Sequence, residues 1–455
     1  MNPVLRQKQS GLEPPSAPAY FRSLWRKACR HPFLATAMLA LLVLIGYALG
    51  VIAWHTNTQK YYRKALAELD RSVSAQTGEH LARAHANLAL CLQAWPDSLD
   101  VNFLAARTAR RLSAYAEAEE HLRHYQELGG VQEATELERA LAKLQQGDLS
   151  YASYFLSCVE KDHPDKALIL EALAQGYLQT YQQGSAKVAL TRWLELQPNC
   201  LQALLWLGRV HSTLMDYPPA IAVYERALQL DPESDEARLK LAEILVHTQK
   251  AKAALPHFEI LSERQPGNIA VMLGLGRCQE QLGDTDEARK TFDRILWAKP
   301  DDPAVLAACG KLLLNSGQLV EAESRLRAAL RLDPYDREAL YSMYKCLELR
   351  DKKDEAQKFL DEYNRVDKDL ERCKKLAREV LEGDNSPRPR CQLARILMRN
   401  GRSNEAKRWL DDALRVDGKY REAYVLLAEY YDHAGQADLA VKCRKLAADL
   451  SAPGR

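Results

Sequence analysis

The chain has 455 residues, of which 47% are hydrophobic and 27% charged, and its formal net charge is +2. This composition is typical of a folded protein and excludes an intrinsically disordered chain. The length exceeds that of one ordinary compact core, so a repeat array or several domains are expected. The near-balanced charge argues by itself neither for nor against a nucleic-acid partner.

The N-terminal region combines a basic tail with a long apolar run. Residues 1–31 are polar and basic, and their Ser-, Pro- and Gly-rich stretch predicts a disordered tail. Residues 32–54, PFLATAMLALLVLIGYALGVIAW, contain no charged side chain. A helix of this length measures about 34 Å, and a bilayer core is about 30 Å thick. We therefore predict a transmembrane helix over 32–54, which is too long for the apolar region of a cleaved signal peptide.

Positive charges flank both ends of this predicted span. Each flank carries four within about 20 residues, but the charges on the N-terminal side lie closer to the apolar run. This asymmetry favours an N-terminus inside the cytoplasm and a C-terminal region outside it. We expect residues 55–64 to form a connector to that region.

The rest of the chain repeats every 34 residues. The clearest marker of the period is an alanine, which recurs in phase at Ala84, Ala118, Ala152, Ala186, Ala220, Ala254, Ala288, Ala322 and Ala356. After 16 additional residues the alanine returns at Ala406 and Ala440. The spacing predicts nine units over 65–370, a helical insertion over 371–386, and two C-terminal units with a cap over 387–455.

The unit over 201–234 reads LQALLWLGRVHSTLMDYPPAIAVYERALQLDPES. It resembles the tetratricopeptide repeat, a helix–turn–helix unit of about 34 residues. The positions that carry the resemblance are Leu204, Leu207, Gly208, Ala220, Tyr224, Ala227 and Pro232. The resemblance implies an all-α fold, a right-handed α-solenoid of about eleven helix pairs that follows one transmembrane helix.

Motifs of catalytic and cofactor chemistry are missing from the sequence. It contains no GxxxxGK[ST], GxSxG, HExxH or CxxC motif. His121 and His124 are three residues apart but have no clear third ligand, so no metal site is expected. We therefore expect no enzyme activity, no cofactor and no nucleic-acid partner. The ten cysteines are expected to be mostly buried free thiols.

In tetratricopeptide-repeat proteins the first helix of each unit lines a concave groove, so the resemblance implies two rows of partner-binding residues. One row is basic and comprises Arg107, Arg209, Arg277, Lys311, Lys345 and Arg395. The other row is apolar and comprises Phe103, Leu205, Leu239, Leu273 and Tyr341. Together they suit an extended peptide with acidic groups or a free C-terminal carboxylate. Alternatively, the cations pair with neighbouring acids such as Glu280 and Glu243 and only solvate the surface.

The resemblance implies a membrane-anchored scaffold or adaptor that binds peptide or protein partners in this groove. The architecture is similar to that of bacterial repeat proteins anchored in the inner membrane with the solenoid outside the cytoplasm. One alternative is a regulatory or substrate-recruiting subunit of a membrane or envelope enzyme or export complex. Another is a structural shell that assembles from stacked solenoids.

Overall fold

The computed structural model describes residues 32–72, 77–161, 163–381 and 386–450. These residues form 22 α-helices, and no strand occurs among them. The predicted disordered tail over 1–31 lies outside the described residues. Residues 382–385 of the predicted insertion and residues 451–455 at the C-terminus also lie outside them.

The first half of the chain contains eleven helices. They are α1 (Pro32–Arg71), α2 (Thr77–Ala94), α3 (Leu99–Arg111), α4 (Tyr115–Glu127), α5 (Gln132–Gln145), α6 (Ala152–Glu160), α7 (Lys166–Gln179), α8 (Gln183–Leu196), α9 (Leu201–Thr213), α10 (Tyr217–Leu230) and α11 (Asp235–His247).

The second half contains eleven more. They are α12 (Ala251–Arg264), α13 (Ile269–Leu282), α14 (Thr285–Ala298), α15 (Pro303–Asn315), α16 (Leu319–Leu332), α17 (Arg337–Leu349), α18 (Lys353–Leu381), α19 (Pro387–Arg399), α20 (Ser403–Val416), α21 (Arg421–His433) and α22 (Ala437–Asp449).

Successive helices pair into hairpins that stack on one another. The C-terminal half of α1 packs on α2, α3 packs on α4, and the pattern continues to α21 and α22, except that α5 scarcely touches α6. Each unit buries its apolar face against its neighbours, so hydrophobic clusters follow one another along the array. The predicted all-α solenoid of eleven helix pairs is confirmed.

Small residues on the first helices let the second helices approach closely. A Cβ atom added to Gly208 of α9 would lie 2.6 Å from the ring of Tyr224 on α10. The side chain of Phe292 approaches Gly276 in the same way two units later. A larger residue at either position would push the two helices apart.

The turns of the second to the eleventh hairpin each contain one residue in the left-handed region. The φ angle there lies between +55° and +90° at Ser113, Gly147, Tyr181, Met215, Gln249, Gly283, Gly317, Asp351, Gly401 and Gly435. Glycine adopts this conformation without steric cost at Gly283, Gly317, Gly401 and Gly435. Five units have a residue other than glycine at this position. The left-handed conformation is unfavourable for these residues because of their Cβ atoms, so the packing of the hairpin imposes it.

Helix α1 is continuous for 40 residues and combines two environments. The apolar half has the length and composition of a membrane span, and none of its described side chains is buried. In the other half, Thr58 and Ala65 are buried, and the ring of His55 lies 5.3 Å from that of Trp95. The segment 55–64, expected to be a connector, is therefore helical and packed against α2. It contains neither glycine nor proline, so nothing in it ends the helix.

Helix α18 is 29 residues long and carries most of the predicted insertion. Its extension buries Leu376 and Val380 against Leu393 and Ile396 of α19. The additional residues therefore lengthen a second helix and supply part of the core that joins the ninth unit to the tenth.

Nine cysteines lie in the described ranges, and all are free thiols. Seven are buried, and two, Cys158 and Cys373, are half-buried. Burial raises the pKa of Cys278 and of Cys391 to about 12, so these thiols stay protonated. They pack as small apolar residues in the repeat core.

Candidate partner-binding surface

The residues of the two predicted rows all lie on first helices of the hairpins. The structure brings some of them together. Arg277 of α13, Lys311 of α15 and Tyr341 of α17 line one cleft of 480 Å³. Glu338 and Tyr363 also line it. A second cleft of 400 Å³ adjoins the first at Arg277 and His247 and is lined by Leu273 and Phe258.

The positive charges in the first cleft are paired with acids. Lys311 Nζ lies 2.7 Å from Glu338 Oε1 and 3.3 Å from Glu280 Oε1. Arg277 lies 3.8 Å from Glu338. The cleft therefore presents a network of alternating charges and not a uniformly basic surface.

Burial and ion pairing shift the acid–base properties of this network. Burial raises the pKa of Glu280, although the Lys311 ammonium partly opposes this effect. Burial by itself lowers the pKa of Lys311, but the hydrogen bond to Glu338 and the charges of both glutamates raise it above its usual value. Lys311 therefore stays charged, and an acidic ligand would compete for it with Glu338.

The other basic residues of the row have different neighbours, and of these only Lys345 lies beside a residue named above as lining the cleft, Tyr341. Arg107 Nε donates to the buried Glu138 at 2.6 Å, and Arg395 pairs with Glu422 at 2.8 Å. Lys345 Nζ lies 5.8 Å from the ring centroid of Tyr341. Arg209 is exposed, and no ion pair to it occurs among the described residues.

The apolar row is only partly available to a partner. Leu205 is 7% exposed and belongs to the hydrophobic core, because α9 packs against α11 as well as α10. Phe103, Leu239 and Leu273 are half-buried, whereas Tyr341 is 43% exposed.

Several residues that line the clefts were missed by the sequence reasoning, and three of them matter for the charge and aromatic surface of the clefts. Glu338 comes from the start of α17, and Tyr363 comes from the second helix α18, with its ring 5.2 Å from that of Tyr341. His247 ends α11 and lines both clefts. Arg277 and Glu280 are three residues apart on one helix, so their spacing predicts that Glu280 lies beside Arg277. No sequence pattern near Tyr363 predicts that its side chain reaches this cleft. Within the described ranges, no group of three side chains could hold a metal ion.

Comparison with known proteins identifies the repeats. Sequence profiles described as tetratricopeptide repeat match residues 201–244, 248–312, 313–380 and 391–451, together just over half of the chain. Anaphase-promoting complex subunit 3 of Schizosaccharomyces pombe is 30% identical over 125 residues, which are 28% of this chain and 19% of that protein. Tetratricopeptide repeat protein 8 of Caenorhabditis elegans is 25% identical over 173 residues, 38% of this chain and 34% of that protein.

A third relative, human Protein O-mannosyl-transferase TMTC1, is 26% identical over 141 residues, 30% of this chain and 16% of that protein. The chain spans between 12% and 38% of the length of the curated relatives it matches. A crystal structure of a tetratricopeptide repeat protein from Parabacteroides merdae has a TM-score of 0.44 and 17% identity, covering 50% of this chain and 91% of that one. The structure of YrrB is described as a tetratricopeptide repeat protein with an unusual peptide-binding site. It has a TM-score of 0.30 and 22% identity, and the match covers 39% of this chain and 92% of YrrB.

Proposed function

Because the chain belongs to the tetratricopeptide-repeat family, a family of protein–protein interaction scaffolds, we propose that it is a membrane-anchored adaptor. In this proposal the apolar half of α1 spans a bilayer, and the solenoid holds protein or peptide partners on its first-helix surface. The observation that carries the anchoring is the burial pattern of α1. The described side chains of its apolar half are exposed, whereas its other half packs into the first repeat. An exposed apolar helix of this length is costly in water and is stable in lipid.

The anchoring can be tested by alkaline extraction of membranes from cells that express the full chain. We expect the protein to stay in the membrane pellet. Leu44→Arg together with Ile45→Arg should release much of it, because two charges at the centre of the span disfavour insertion. Asn57→Arg adds a charge to an exposed position of α1 beyond the span and serves as the control. Full release of the unaltered protein by alkali would refute the anchoring.

We place the solenoid outside the cytoplasm, as the charges that flank the span favour. A reporter that is active only outside the cytoplasm, fused after Arg455, should then be active. A stably expressed but inactive fusion would place the solenoid in the cytoplasm and the partners among cytoplasmic proteins.

The cleft around Lys311 and Tyr341 is the proposed contact for an acidic segment or a free carboxylate. Tyr341 offers exposed aromatic surface, and Lys311 and Arg277 offer charged donors that a carboxylate can share. The proposed role is binding without catalysis. Reversing Arg277, Lys311 and Lys345 together to glutamate should abolish binding of a labelled peptide that ends in three glutamates. Undiminished binding would exclude this surface.

A further inference from the structure

The third hairpin differs from the other hairpins in its second helix. Helix α6 has nine residues, whereas the other second helices have at least 13. Its partner α5 packs directly against α7 of the next unit and scarcely touches α6. The approach of α5 to α7 is so close that a Cβ atom on Gly176 would overlap the carbonyl oxygen of Leu144. The hairpin of α5 and α6 is therefore open.

A cleft of 620 Å³ lies between the two separated helices. Its lining is mainly apolar and includes Leu137, Ala140, Phe155, Cys158 and Ile169. Ala140 occupies the position in its unit that Gly208 and Gly276 occupy in theirs, 68 and 136 residues further along the chain. In those units a ring of the second helix covers the small residue, whereas Ala140 lines an open cleft.

Large apolar side chains stand exposed at the edge of this cleft. Val131 is 58% exposed, Tyr151 47% and Tyr154 62%. A cluster of exposed aromatic and aliphatic side chains beside a cleft is typical of a protein-binding site, where tyrosine contributes strongly to affinity.

The charge at the edge of the cleft is negative. Glu133, Glu136 and Asp165 line it, and among the residues that the structure describes no lysine or arginine does. Asp165 also pairs with Arg107 at 3.4 Å, whereas Glu133 and Glu136 have no ion-pair partner among the described residues. A partner with lysine or arginine beside its apolar residues would complement this surface.

We propose that the open hairpin binds an amphipathic, basic helix of a partner protein. The helix lies between α5 and α6, its apolar side chains contact Leu137, Ala140 and Tyr154, and its cations face Glu133 and Glu136. The partner helix packs against α5 in the same position in which the second helix packs against the first in the other hairpins. This site adjoins the first-helix surface at Asp165 but does not depend on the cleft around Lys311.

The probe is a peptide whose sequence derives from a second helix of this chain. Helix α16 packs Leu326 against Gly310 of its own first helix, so its apolar face already suits such a partner. A fluorescein-labelled peptide with the sequence of 319–332 and the changes Glu321→Lys and Glu323→Lys is basic. An acidic version keeps both glutamates and carries Arg325→Glu, Arg327→Glu and Arg331→Glu. Fluorescence anisotropy with the purified full chain in detergent should show about tenfold tighter binding of the basic peptide.

Three variants of the full chain test the location. Glu133→Lys with Glu136→Lys should weaken binding of the basic peptide about tenfold. Glu263→Lys with Asp301→Lys makes the same charge change at exposed positions elsewhere and should leave binding within about twofold. Tyr154→Ser, at a 62% exposed position, should also weaken it about tenfold.

Equal binding of the two peptides, or binding that none of the cleft variants alters, would overturn the proposal. If no peptide binds and Tyr154→Ser dissociates a dimer in analytical ultracentrifugation, the occupant is a second copy of the chain and the proposal is also wrong. Lys311→Glu should not change binding of the basic peptide, which separates this site from the proposed function of the other cleft.

Discussion

Arg415 donates a hydrogen bond from Nη1 to the backbone carbonyl oxygen of Thr180 at 2.9 Å, although 235 residues separate them along the chain. Neighbouring side chains extend the contact. The ring centroids of Trp409 and Tyr181 are 6.4 Å apart, and the Arg408 guanidinium lies 5.4 Å from the Tyr181 ring. The second helix of the tenth unit thus touches the turn of the fourth, so two units far apart along the chain are in contact.

Removing this contact should loosen the turn after α7. We expect Trp409→Ala with Arg415→Ala to increase amide hydrogen exchange at residues 180–183 about threefold or more, because the turn loses its distant partner. Mass spectrometry of the exchanged peptides measures the effect. Arg444→Ala removes an exposed ion pair within the last hairpin and should leave exchange at the turn unchanged. Equal exchange in the double variant and the parent would show that this contact does not protect the turn in solution.

The pairing of Lys311 with Glu338 makes a specific prediction for the proposed peptide site. Glu338→Gln removes the acid that competes for Lys311 and Arg277, so a labelled peptide that ends in three glutamates should bind about threefold more tightly. The same substitution at Glu287, which pairs with Lys290 on α14, is the control and should have no effect. Weaker binding to Glu338→Gln would mean that the peptide does not compete with this glutamate.

The left-handed turn position predicts two opposite changes in stability. Gln249→Gly relieves a disfavoured φ of +60° and should stabilise the protein by about 1 kcal/mol. Gly317→Ala has open space for the new methyl group but a φ of +77°, so it should destabilise by about 1 kcal/mol. Thermal unfolding midpoints of the full chain in one detergent measure both. A lower midpoint for Gln249→Gly would indicate that the glutamine side chain contributes more than the backbone strain costs.

The buried carboxylate of Glu138 should make stability depend on pH. Glu138 accepts hydrogen bonds from Arg110 and Arg107, each at 2.6 Å. Burial by itself raises the pKa of Glu138, but the two guanidinium groups outweigh burial and hold the pKa below its usual value. The stabilisation is therefore complete above the unfolded pKa of glutamate and is lost as the pH falls through the lower pKa of the folded state.

Glu138→Gln should lower the free energy of unfolding by about 3 kcal/mol at pH 7, because it leaves two arginines without their carboxylate. The difference from the parent should shrink as the pH is lowered below about 4. Urea unfolding at several pH values measures this. As a control, Glu127→Gln changes an exposed carboxylate in the unit that holds Arg107 and Arg110. It should change the free energy of unfolding little at any pH. A difference that does not vary with pH would exclude the charge of Glu138 as its cause.

The sequence by itself determined the hairpins, because their rules are local. The in-phase alanines, the apolar helical stripes and the glycines at turns such as Gly283 act within one unit or between adjacent units. The same features predicted the number of helix pairs. The apolar run over 32–54 likewise follows from consecutive residues.

Only the tertiary structure decided which side chains meet across units. Lys311 and Glu338 are 27 residues apart, and their contact depends on the rotation between neighbouring hairpins. Arg415 reaches Thr180 only after that rotation has accumulated over several units. The exposure of the cleft beside α6 depends on the direct packing of α5 on α7. Small rotations at each interface add up along a solenoid, and side-chain spacing in the sequence does not specify their size.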